Sequence, residues 1–118
     1  MTEIVRGHRD LAAGRWSKLS LPEQLANVGS EVGRMVRWRS RDPRLMLGAF
    51  DRALELLDLT LEDPRWRSRL VEIARVRELL CAATLLGERE YRTSLEDLDR
   101  YFLAFAVAAR NARAHGRA

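Results

Sequence analysis

The sequence predicts an all-α protein: an antiparallel, up-down-up-down four-helix bundle preceded by an irregular N-terminal arm. Three observations carry that expectation. Apolar residues recur at three- and four-residue steps in four separate segments. Each segment opens on a capping signal, and the prolines, at positions 22, 43 and 64, fall at helix starts. No stretch alternates as a strand would. At 118 residues the chain fits one domain, divided here into an arm over 1–19 and a bundle over 20–118.

The arm has no lasting period and contains Gly7 and Gly14. Ser20 then opens "SLPE", where its hydroxyl can cap the backbone at Glu23 while Glu23 reaches back. Leu25, Val28, Val32, Met35 and Val36 form the inner face of the first helix. Beside it Ala26, Gly29 and Gly33 make a stripe of small residues. Glycine costs about 1 kcal/mol against alanine inside a helix, so this pair implies the close approach of another backbone, within the bundle or across a subunit interface.

Asp42-Pro43-Arg44 and Asp63-Pro64-Arg65 start the second and third helices, each with Asp at the N-cap and Pro at N1. In helix two Phe50, Ala53, Leu54, Leu57 and Leu61 point inward. Asp51, Glu55, Asp58 and Glu62 form an acidic stripe that reads as solvated or Arg-paired, because bundle di-metal sites also need Glu-x-x-His pairs that this chain lacks. Trp66, Leu70, Ile73, Val76, Leu80 and Ala83 line helix three, which stops near Gly87. Thr93 or Ser94 caps helix four, with Leu95, Leu98, Phe102, Phe105, Ala109 and Ala112 on one side. Its other side is also apolar, at Leu103 and Val107. That places helix four at the centre of the bundle or in a subunit interface.

The formal net charge is +4, and every basic residue except Lys18 is arginine. Guanidinium binds phosphate in a bidentate fashion, although GC-rich coding would favour arginine too. Short links make consecutive helices antiparallel, which gathers the arginines at two poles. Arg34, Arg37, Arg39, Arg41 and Arg44 lie where helix one passes into helix two. Arg65, Arg67 and Arg69 are expected near Arg110, Arg113 and Arg117 at the other end. Helix dipoles favour the first group, so the second is the better candidate for phosphate contacts. Each tryptophan follows an arginine, at Trp16, Trp38 and Trp66, a pairing suited to stacking on unpaired bases or to packing at the rim of the core.

Arg110-Asn111 with His115 resembles the Arg-x4-6-His motif of HEPN ribonucleases. That resemblance implies that Arg110 would stabilise the scissile phosphate and His115 would act in acid–base catalysis, without metal, across a dimer. The plainer reading is a basic helix end, and Arg117 stands where antitoxin-paired members carry Tyr. The segments "WSKLSLPEQLANVGSEVGR", "RALELLDLT", "RVRELL" and "YFLAFAVAAR" look like a family of small uncharacterised bacterial four-helix-bundle proteins. In size, basicity and helix count the chain is also similar to ribosomal-RNA intervening-sequence proteins and to accessory proteins of diversity-generating retroelements. Those likenesses imply homo-oligomers that contact RNA or an RNA-handling enzyme.

Cys81 is the only cysteine, which excludes an internal disulfide or a cysteine metal cluster. There is no phosphate loop, nucleophile elbow, zinc-ligand spacing or dinucleotide fingerprint. No membrane span or signal peptide is evident, so a cytoplasmic protein without cofactor or metal is expected. The sequence thus favours a non-catalytic, self-associating bundle that binds nucleic acid, RNA in particular, or a nucleic-acid-processing protein. Arg65, Arg67, Arg69, Arg110 and Arg113 would carry the phosphate contacts, helped by Arg34, Arg37 and Arg41. Gly29, Gly33, Leu103 and Val107 would form the protein interface. The alternatives are the HEPN-type ribonuclease and a purely protein-binding adaptor.

Overall fold

The computed structural model of the protein describes residues 14–87 and 93–116, and among these residues there are four long α-helices and no strand. Helix α1 spans Leu21–Trp38, α2 Pro43–Glu62, α3 Leu70–Leu85 and α4 Leu95–Gly116, with a 3-10 segment, Pro64–Arg69, between α2 and α3.

The helix starts follow local chemistry. Ser20 Oγ accepts from the Glu23 amide at 3.2 Å while Glu23 Oε1 accepts from the Ser20 amide at 3.0 Å, closing the expected capping box. Asp42 Oδ1 accepts from the amides of Arg44 and Leu45 at the head of α2. Ser94 and Asp97 exchange reciprocal bonds of 3.0 Å at the start of α4. Gly87 follows α3 with φ +92°, the left-handed conformation that glycine adopts without steric cost.

Helix α1 is the centre of the packing. Its buried Leu25, Val28, Val32 and Met35 lie between α2 and α4, which it contacts along most of its length, whereas α3 meets α2 and α4 over shorter stretches. Gln24 near the start of α1 bonds Asp63 just past α2, and Glu31 bonds Arg52. Arg39 just past α1 bonds Glu96 in the first turn of α4. Helix α1 therefore runs antiparallel to both α2 and α4. From α3, Ile73, Val76, Leu80 and Ala83 join the same core.

Two expectations change here. The residues after Pro64 form a 3-10 segment instead of opening an α-helix, because Trp66 leaves the helical region at φ −106°, ψ 25°. Leu70 consequently begins α3 on its exposed side. The described part of the arm is also ordered around the core: Gly14–Trp16 is helical, and Trp16 is buried. Residues 1–13, and Arg117 at the other end, lie outside the described residues.

Candidate nucleic-acid interface

A buried polar junction holds α1, α2 and the 3-10 segment together, and it absorbs part of the expected basic pole. Gln24, fully buried, donates from Nε2 to the Trp16 carbonyl at 2.9 Å and to Asp63 Oδ2 at 3.1 Å, and its Oε1 accepts from the Trp66 indole at 3.0 Å. The Trp16 indole donates to Thr60 Oγ1 at 3.0 Å, and that hydroxyl donates to the Leu56 carbonyl. Arg65 grips Asp63 with Nε and Nη2 and extends Nη2 to the Leu19 carbonyl at 2.7 Å. Its guanidinium also lies 4.5 Å from the centre of the Trp66 ring. The Arg65 hydrogen bond, helped by Gln24, holds the Asp63 carboxyl down at about 2.

Arg69 is occupied as well, clamping Glu72 at 2.9 Å while Tyr101 donates to the same carboxylate at 2.7 Å. The Glu72 carboxyl is lowered by those two bonds, Arg69 first. Burial and the bond to Glu72 push the Tyr101 hydroxyl well up. Tyr101 precedes Arg110 by roughly 13 Å of helix rise, so Arg69 sits beside the early turns of α4. The end of α4 lies against the start of α1: Ala109, Ala112 and Arg113 line a cleft with Ser20 and Glu23, next to the Leu19 carbonyl that Arg65 binds. Of the arginines expected at this pole, Arg67, Arg110 and Arg113 are exposed and have no ion pair among the described residues.

The other pole differs. The pentapeptide RWRSR occurs twice, at Arg37–Arg41 where α1 ends and at Arg65–Arg69 in the 3-10 segment before α3. In the second copy Arg65, Trp66 and Arg69 all have structural partners. In the first, Arg39 binds Glu96 at the surface, while Arg37 and Arg41 stand exposed without an ion pair among the described residues. Arg44, in the first turn of α2, is equally exposed. Arg34 sits one turn earlier and shares Glu31 with Arg52. Trp38 is half-buried in the same turn, whose backbone is closed by amides of Arg41 and Asp42 donating to the Trp38 carbonyl.

Arg110 and His115 both fall within α4 and are exposed. Five residues of α-helix separate them by about 140° around the axis. Within one chain they do not face a common point. Gly29 packs inside the molecule: a Cβ there would lie 2.6 Å from Phe102 Cβ. Gly33 is roomier, with Asp99 Oδ1 as the nearest neighbour at 3.6 Å. Leu103 and Val107 are 61% and 46% exposed. Asp58 of the acidic stripe pairs with Arg77, whereas Asp51 and Glu55 are exposed. Among the described residues no group of His, Cys, Asp and Glu side chains converges as metal ligands, and no helix is long and apolar enough to cross a membrane. No family model, curated protein or solved structure matches the chain.

Proposed function

We propose that this protein binds nucleic acid, RNA in particular, through the α1–α2 turn, with Arg37, Arg41 and Arg44 contacting phosphates and Arg34 and Trp38 flanking them. The observation that carries the reading is the duplicated RWRSR. Where the segment is structural, Arg65, Arg69 and Trp66 are held by Asp63, Leu19, Glu72 and Gln24, and of its arginines only Arg67 is left without an ion pair among the described residues. At the α1–α2 turn the same residues leave two guanidinium groups, and that of Arg44, in solvent without an ion pair among the described residues. Unneutralised guanidinium groups clustered on one turn attract a polyanion and displace its counterions. Arg67, Arg110 and Arg113 supply a weaker, dispersed second contribution. Nothing in this arrangement calls for a catalytic step.

The test is anisotropy of a labelled RNA hairpin with an unpaired loop, titrated at two salt concentrations. R37A/R41A/R44A should weaken binding about tenfold or more and lower the salt slope by about 2–3, at roughly 0.7–0.9 per lost phosphate contact. An unchanged slope and affinity, or no binding by the natural chain at either salt, refutes the proposal. R65A is a poor probe because it also unties Asp63 from Leu19.

A further inference from the structure

We infer that α4 pairs antiparallel with α4 of a second copy about a two-fold axis near Leu103 and Val107, so that Asp99 of each chain faces Arg110 of the partner subunit. The starting point is an apolar stripe on α4 that no described element covers. Leu103 and Val107 are the exposed large apolar residues of α4, with Ala104 and Ala108 exposed beside them. Next to the stripe runs a shallow groove of about 180 Å³ between α4 and the small-residue side of α1, lined by Ala26, Ser30, Phe102 and Ala106 among others.

Charge decides what fits. At about 100° per residue, Asp99, Leu103, Val107 and Arg110 lie within an arc of about 80° on α4. The acid precedes the apolar pair and the base follows it. Arg100 is already paired with Asp97, which leaves Asp99 and Arg110 as the charges of the stripe without an ion pair among the described residues. A helix with one sign at its start and the other at its end complements a reversed copy of itself. A two-fold interface imposes that reversal, and it makes each contact twice. Parallel pairing would set like charges together.

The area is adequate. Helix α4 is roughly 33 Å long, and with the adjoining side of α1 the face is roughly 20 Å wide, about 660 Å², inside the roughly 600–1,000 Å² per partner of a standard interface. Small residues at 26, 30 and 106 let the backbones approach. The pairing engages Arg110, a minor part of the proposed nucleic-acid contact, but it needs no RNA, so sedimentation of the protein alone tests it apart from that function.

Sedimentation velocity of the full chain, from low to high micromolar, reads the outcome, with circular dichroism confirming that each variant keeps its helix content. The natural chain should be a dimer, and L103E/V107E should raise its Kd at least about tenfold. D99R and R110E should each weaken the dimer, and the chain carrying both should regain it, because the swap restores both facing pairs. A monomer throughout the range, a larger assembly, or a dimer indifferent to the apolar and charge variants overturns the inference. L103A/V107A, which keeps the surface neutral, should weaken the dimer in the same direction.

Discussion

Replacing Gly29 and Gly33 by alanine should move stability in opposite directions, although the two glycines lie one turn apart on α1. At Gly29 the added Cβ would sit 2.6 Å from Phe102 Cβ and 3.6 Å from the Phe102 carbonyl carbon. The obstructing atom is attached directly to the α4 backbone, so no rotamer change relieves it. Either α1 and α4 separate around a fully buried Phe102, or both backbones distort. Overpacking of this kind costs typically about 1–3 kcal/mol, and the gain in helix propensity offsets up to about 1 kcal/mol. Gly29→Ala should therefore lose roughly 1–2 kcal/mol net. At Gly33 the nearest atom, Asp99 Oδ1 at 3.6 Å, is in ordinary contact distance, so the propensity gain of up to about 1 kcal/mol survives. Urea unfolding followed by far-ultraviolet circular dichroism, at one fixed protein concentration, measures both. For a chain of this size each kcal/mol corresponds to a Tm shift of about 3–6 °C. Equal stabilisation by both alanines would refute the close approach of α1 and α4 at Gly29.

The polar junction yields further expectations. Gln24→Leu strands the Trp66 indole and removes a donor from Asp63 and the Trp16 carbonyl, and should cost about 2–4 kcal/mol in the same urea assay. Thr60→Val leaves the Trp16 indole without its acceptor; a loss of about 1–2 kcal/mol is expected, accompanied by a change in tryptophan emission. Asp63, at about 2 against an ordinary 3.8, binds protons more weakly when folded than when unfolded. Its contribution, at most about 2 kcal/mol, is present above pH 4 and lost as pH falls from about 4 toward 2. Thermal unfolding between those limits should show a shallower pH dependence for Asp63→Asn than for the natural chain.

Much of the fold is legible locally. Ser20 with Glu23, Asp42 with Pro43, Ser94 and Gly87 mark helix boundaries because their bonds close within a few residues. The close approach at Gly29 is legible too, since glycine in mid-helix has a cost that packing must offset. The candidate site is less so. Nothing near Arg65 in the chain announces Leu19 as a partner, and nothing near Trp66 announces Gln24. Those bonds span 46 and 42 residues. The dipole argument favours Arg65 and Arg69 as phosphate contacts, but in the folded chain they hold Asp63 and Glu72.

By itself, the sequence determined an all-helical class, its caps, an arginine-rich surface and the small-residue stripe on α1, because these depend on residue type and short-range spacing. Only the tertiary structure decided which copy of RWRSR is tied into the core and which faces solvent. Identical pentapeptides have identical local preferences; Asp63 and Glu72 flank the second copy in sequence, but only the fold brings the Leu19 carbonyl and the Gln24 amide to it.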